Sequence, residues 1–153
     1  MIVSADAMTV YRGLDIGTAK PTQAERESVP HVGIDERNID EDFDVSCFVD
    51  MVDKAIEEQE RVIIAGGTTF WLSALLRPLA ELPPANPAVR NSLNQLDDPH
   101  RLLSEIDPAT ASRLHPNDRV RVIRALEVFE VTGRTQTQLH ADGPKRAPIS
   151  AEV

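Results

Sequence analysis

Cysteine is almost missing from this chain. Cys47 is the single one in 153 residues, which excludes an internal disulfide framework and sets a reducing, cytoplasmic compartment as the expectation. Aromatic residues are lean at 4%. No apolar run approaches the roughly 20 residues of a membrane span, and no basic segment leads into an apolar stretch at the N-terminus, so neither a membrane partner nor a secretory signal is expected. The lysines are Lys20, Lys54 and Lys145, none of them in a glycine loop. No stretch reads G-x-x-x-x-G-K-[ST], the loop whose backbone N–H groups wrap a diphosphate. None reads G-x-S-x-G, which removes support for a serine hydrolase. The histidines are scattered and no His/Cys spacing suits zinc, so His31 reads as a packed or capping residue.

What is present bounds the rest. A 41% hydrophobic content over this length builds one ordinary core. The net charge of −9 opposes nucleic-acid binding at first sight, because phosphate contacts need Lys and Arg. Its distribution reverses that reading. Residues 35–60 carry eleven Asp or Glu against Arg37 and Lys54, whereas the remainder is neutral, with fourteen residues of each sign. From Arg113 to Arg146 there are seven basic residues against four acidic ones. One acidic surface and one mildly basic C-terminal half are implied. The plainer alternative is a solvated helix face with its entry loop.

Residues 2–5 read as a strand and 13–21 as a loop. A short helix over 22–28 precedes Pro30. Ser46 to Glu60 reads as a helix capped by Ser46 or Asp44, with Phe48, Val49, Val52, Ala55 and Ile56 on one stripe. Arg61 to Ala65 is a near-continuous apolar run, the pattern of a strand buried on both faces of a parallel sheet. Gly66-Gly67-Thr68 turns the chain into a helix over 69–76. After the breaker-rich 82–87, three short helices open on Asn86-Pro87, Asp98-Pro99 and Asp107-Pro108, since proline at the first helical position gives up only a hydrogen bond the helix would not have made. Asn117 or Asp118 opens a longer helix that Gly133 stops. The reading is α/β: an incomplete nucleotide-type parallel sheet with flanking helices over 1–80, a helical portion over 81–140, and a frayed tail over 141–153. Two strands are too few for a self-sufficient parallel sheet.

Three constellations can carry chemistry. Asp6 follows the β-branched pair Ile2-Val3 and sits at the carboxyl edge of a strand, where open α/β sheets hold ligands. A carboxylate there can accept a proton, or merely cap a loop N–H. Gly66 and Gly67 allow close approach of backbone to an anion such as phosphate, or form a plain strand-to-helix turn with Thr68 as its N-cap. Arg121 and Arg124, three apart, share a helix face and suit phosphate recognition. The alternative is a surface helix whose arginines pair with Glu127 and Glu130.

These blocks resemble, in order, motifs of the tRNA dimethylallyltransferases, the tRNA isopentenyltransferase or IPP transferase family. Ser4-Ala5-Asp6 with Tyr11 to Pro21 is similar to S-A-D…Y-R-G-x-D-I-G-T-A-K-P. Val29-Pro30-His31 with Ile34-Asp35 fits V-P-H-H-x-I-D, Val32 replacing the second histidine. Gly66-Gly67-Thr68 fits V-G-G-T-G-L-Y, with Thr69, Phe70 and Trp71 in place of G-L-Y. Phe70 and Trp71 would keep an aromatic wall, and Thr69 would narrow the channel. Asn117 to Val128, with Thr132-Gly133, fits N-D-x-x-R-x-x-R-A-L-E-V…T-G. The resemblance runs from Ile2 to about Thr137, over nearly all of the chain.

The resemblance implies a reaction and a set of roles. The family moves a dimethylallyl group from dimethylallyl diphosphate to N6 of the adenosine beside the anticodon, which is flipped out of its stack. By this likeness Asp6 is the general base. Ala7, Met8 and Thr9 touch the tRNA anticodon stem-loop, with Thr9 where a glutamine is often found. Thr68 lines the channel beside the adenosine. Arg90 and the run Val120, Arg121, Val122, Ile123 and Arg124 contact the tRNA. Mg²⁺ assists the leaving diphosphate, with no protein ligand for it identified in this sequence. The family's phosphate loop and C-terminal basic segment have no counterpart in these residues. The expectation is therefore a chain truncated at both ends relative to the family, a transferase by resemblance that binds dimethylallyl diphosphate poorly and whose independent activity is left open. Two other readings stay open: an adenylate isopentenyltransferase acting on free nucleotide, and a non-catalytic RNA- or partner-binding remnant.

Overall fold

In the computed structural model, residues 1–144 and 146–151 are described, and they divide into two compact units, one of residues 1–77 with 148–151 and one of residues 78–147. The first is α/β. Its strands are β1 (Ile2–Ser4), β2 (His31–Val32) and β3 (Ile63–Ala65), all parallel and in the order β2-β1-β3. Val3 pairs with Val32 on one side and Ile64 on the other. The strand β2 is an element of this unit that the sequence pattern does not show. Two residues are too short for a period to show; a separate parallel bridge joins Tyr11 to Arg37, whose N–H donates to the Val10 carbonyl at 3.1 Å.

Three helices complete this unit: α1 (Gln23–Ser28), α2 (Val45–Glu58) and α3 (Thr69–Leu76). Thr22 and Glu25 close a reciprocal capping box on α1, and Asp44 accepts from the Ser46 and Cys47 N–H groups to start α2. The stripe of α2 buries Phe48, Val52 and Ala55 against Val3, Ala5, Trp71 and Leu75. Trp71 stacks on Phe48 with ring centroids 4.9 Å apart. The expectation of a strand buried on both faces fails for β3, where Ile63 is 63% exposed. It is the edge of the sheet, so its apolar run is only half covered. The segment read as a frayed tail also differs in part: the Ile149 N–H donates to the Leu75 carbonyl at 3.0 Å, and Ile149 packs on the same core. Residues 145, 152 and 153 of that segment lie outside the described ones.

The second unit is helical: α4 (Pro87–Leu93), α5 (Pro99–Ile106), α6 (Pro108–Arg113), α7 (Arg119–Thr132) and α8 (Gln136–Ala141). Asn86, Asp98 and Asp107 each accept an N–H three residues on, with proline next to the cap, as the sequence pattern indicates. Asp118 caps α7, and Gly133 at φ 68° ends it. A left-handed residue at that point favours glycine. The core joins Leu93, Leu103 and Ala111 to Val122, Ile123, Ala125 and Leu126 of α7. No helix among the described residues is long and apolar enough to cross a membrane.

Candidate active site and arginine cluster

The α/β unit places its candidates at the carboxyl ends of β1 and β3. Two loops meet there, held by backbone bonds: the Ala5 N–H donates to the Ala65 carbonyl at 2.8 Å, and the Thr68 N–H to the Ala5 carbonyl at 2.9 Å. Gly66 makes the meeting possible, since a Cβ there would lie 2.3 Å from the Ala5 oxygen. Asp6 turns back on its own loop. Its Oδ1 accepts the Met8 N–H at 2.8 Å and the Thr9 N–H at 3.2 Å, while Oδ2 lies over Gly67, 3.9 Å from where a Cβ would stand. The absence of a side chain on Gly67 keeps the space beside that oxygen open.

Thr68 occupies the N-cap position of α3 but makes no side-chain cap bond. Its Oγ1 accepts the Ala7 N–H at 2.9 Å instead. The hydroxyl therefore ties the two loops together and keeps its own proton for another acceptor. Asp6, Ala7, Gly66, Gly67 and Thr68 thus form one cluster. The rest of the β1 loop divides. Met8 is 50% exposed, whereas Thr9 is buried and its hydroxyl is shared with Ser4 Oγ at 2.8 Å and the Asp6 and Gly33 carbonyls. The two aromatics expected as a wall beside Thr68 part in burial. Phe70 is exposed, but Trp71 is core, because its position on α3 faces Phe48.

The motif between Tyr11 and Pro21 has a separate centre. The Lys20 side chain, 3% exposed, donates to the Tyr11 carbonyl at 2.9 Å, Asp15 at 2.8 Å and Asp35 at 2.6 Å. Burial alone would lower its pKa, but the bonds to Asp15 and Asp35 outweigh that and raise it. Asp35, also paired with Arg26, is pushed below the usual carboxylate range chiefly by the Lys20 hydrogen bond. A cavity of about 600 Å³ opens beside Arg12, Lys20, Arg26 and Asp35, not beside Asp6 or Thr68. The lysine was visible in the sequence, but only its three acceptors reveal that it anchors the loop.

In the helical unit the run 120–124 splits by helical phase. Val122 and Ile123 are core, Val120 is 82% exposed, and Arg121 pairs with Asp118 one turn back. Arg124 and Arg90 converge on Glu127. Glu127 is fully buried, and its Oε1 accepts the Asn86 N–H at 2.6 Å. Its Oε2 accepts Arg124 Nη1 at 2.6 Å and both Nε and Nη2 of Arg90 at 3.2 and 3.1 Å. Burial pushes the Glu127 pKa up, but these hydrogen bonds and the Arg124 charge together hold it below its ordinary value. The pairing with Glu127 matches the alternative reading of the sequence for Arg124. The part of Arg90 was not foreseeable, because it lies 37 residues away.

No group of three or more His, Cys, Asp or Glu side chains that could hold a metal occurs among the described residues. Asp6 offers a single carboxylate whose Oδ1 already accepts two N–H groups, and Mg²⁺ demands several oxygen ligands in octahedral array. Among the described residues none forms an all-protein cage for Mg²⁺, an ion commonly held by one or two carboxylates together with substrate phosphates.

Comparison with known proteins agrees with the motif order. The IPP transferase family model matches residues 9–152. The tRNA dimethylallyltransferase 2 of Geotalea daltonii is 45% identical over 92% of this chain, and the tRNA dimethylallyltransferase 1 of Citrifermentans bemidjiense 48% over 87%. The chain spans 46% and 45% of the lengths of these two curated relatives. A crystal structure of a eukaryotic dimethylallyltransferase acting on tRNA superposes with a TM-score of 0.79 at 26% identity, covering 97% of this chain and 39% of that one. With the family model spanning nearly all of its length, the chain belongs to the IPP transferase family.

Proposed function

We propose that this chain carries the RNA-receiving half of a tRNA dimethylallyltransferase site, in which Asp6 removes a proton from N6 of an unpaired adenosine. The observation that carries the reading is the Asp6–Thr68 cluster. A carboxylate with one oxygen fixed by two N–H groups and the other over a glycine is a rigid acceptor beside an open space. Thr68, its hydroxyl oxygen accepting the Ala7 N–H, keeps its own O–H to donate to a ring nitrogen of the base.

The chemistry asks for such a base. The N6 lone pair is delocalised into the adenine ring, so the amine is a poor nucleophile. As the new C–N bond forms and the C–O bond to diphosphate breaks, Asp6 takes the proton and the diphosphate leaves with the electron pair. Arg90 and Arg124 are the cations for the RNA backbone, with Arg121 as an exposed third. The diphosphate is held elsewhere, since these residues contain no G-x-x-x-x-G-K-[ST] loop, and Mg²⁺ belongs with that part. The adenylate isopentenyltransferase reading is less well supported, because a free nucleotide gives the arginine cluster no extended backbone to bind.

The test joins this chain to the glycine-loop segment of a curated relative and measures prenyl transfer to an anticodon stem-loop RNA. Asp6→Asn keeps the shape and loses the base, so kcat should fall by roughly 10²–10⁴-fold with RNA affinity nearly unchanged. A kcat indifferent to that substitution would place proton removal on another group.

A further inference from the structure

We infer that Glu127 is a positioning residue for RNA contact: it holds Arg90 and Arg124 as one rigid cationic surface. The inference rests on the proposed tRNA reading. Two guanidinium groups that share one carboxylate oxygen repel each other, and without a counter-charge they would swing apart into water. Glu127, fully buried, cancels one of the two charges and leaves the pair with a net positive charge. The forked Nε/Nη2 contact fixes the plane of Arg90. Arg124 is fixed twice, by Glu127 and by the Pro83 carbonyl, which accepts from Nη2 at 2.6 Å. Both arginines keep one side toward solvent, with side chains 42% and 26% exposed.

Stability by itself explains this arrangement poorly. Well-packed apolar side chains commonly stabilise a core as well as a buried ion pair does. What an apolar residue at 127 would not supply is orientation. Arg121 is the internal contrast. It is 73% exposed and paired with the helix cap Asp118, so no buried group dictates its direction. Phosphate contacts through Arg90 and Arg124 should therefore depend on Glu127, and those through Arg121 should not.

Net charge and positioning predict opposite results, which makes the idea testable. Glu127→Gln removes a negative charge, and by charge alone RNA binding would tighten. If Glu127 positions the arginines, binding weakens. The experiment titrates the full chain with a synthetic anticodon stem-loop RNA by fluorescence anisotropy at several salt concentrations. Arg90→Ala and Arg124→Ala should each weaken binding about tenfold and lower the salt slope by roughly one charge. E127Q should weaken it about five- to tenfold, and E127Q with R90A should be little worse than either alone, the mark of two residues acting together. Arg90→Lys keeps the charge but cannot fork onto Oε2; it should behave like R90A, and it decides the matter if E127Q does not fold. Binding of E127Q at or above wild-type strength, or R90K indistinguishable from wild type, overturns the inference. If R90A and R124A both leave affinity unchanged, or the wild-type chain shows no salt-dependent binding, the tRNA reading itself falls and this inference with it.

Discussion

The α/β unit and the helical unit solve the problem of polar groups near the core in different ways. In the first, apart from the buried Lys20 cluster, the loops at the strand ends are joined by backbone bonds and by bonds from backbone to a loop side chain. The Ala5 carbonyl takes the Thr68 N–H, and Thr68 Oγ1 takes the Ala7 N–H. In the second, carboxylates are themselves buried. Glu127 joins α4 to α7, and Asp107, 4% exposed, caps α6 and takes the N–H and hydroxyl of Thr137 at the start of α8. Loop backbones locked by a glycine give a site that tolerates no volume. Buried carboxylates give one that tolerates no loss of charge. The Gly66 junction should therefore break by steric change, and the buried carboxylates of the second unit by acid.

The largest effect is expected at Gly66. A Cβ there meets the Ala5 backbone at 2.3–2.8 Å, so Gly66→Ala should cost about 3 kcal/mol, as overpacking against rigid atoms does. Gly67→Ala, whose nearest neighbour is Asp6 Oδ2 at 3.9 Å, should leave stability within about 0.5 kcal/mol. Urea unfolding of the two variants checks the pair. Equal losses would mean that the loops are not as tightly joined as their hydrogen bonds imply.

Acid comes next. Burial raises the Asp107 pKa, but the bonds from Thr137 and Thr110 outweigh it, so both Asp107 and Glu127 titrate below their ordinary range. A depressed native pKa means that the unfolded state binds protons first. The stabilisation is complete above the unfolded carboxylate values, about 4, and is lost as pH falls through the lower native ones. Stability should fall in the helical unit on that descent. Hydrogen exchange along α7 across the acid range measures it. In E127Q the Glu127 share of the pH dependence should be gone, and an unchanged profile would assign the effect to other groups.

The smallest effect sharpens the contrast from the other side. Ile63 lies on the edge strand and is 63% exposed, so Ile63→Thr should change stability by less than about 0.5 kcal/mol in this chain. A loss of 1 kcal/mol or more would mean that the edge is covered in solution.

Local elements were legible because their signals are local. Each Pro-opened helix follows a cap three residues from the N–H it accepts, and Gly133 stands where α7 must turn left-handed. The helix α8 has a readable start too, the Thr135 capping box with Gln138. The strand β2 was invisible because two residues carry no period. The exposure of β3 is not legible in the sequence because an apolar run reports composition, whereas burial depends on what packs against the sheet.

The candidate site shows the same division. Sequence by itself determined which residue types stand at strand ends and helix starts: a carboxylate at 6, glycines at 66 and 67, a threonine at 68, arginines at 121 and 124. Backbone propensities and motif order reach no further than a few residues along the chain. Tertiary structure decided what each of them faces. It turned Thr68 from a helix cap into a clasp on Ala7, sent Thr9 and Trp71 inward, and brought Arg90 across 37 residues to the oxygen that also holds Arg124. Those outcomes depend on which surfaces are buried against one another, and the energies of burial and of charge pairing are set only when the packing is complete.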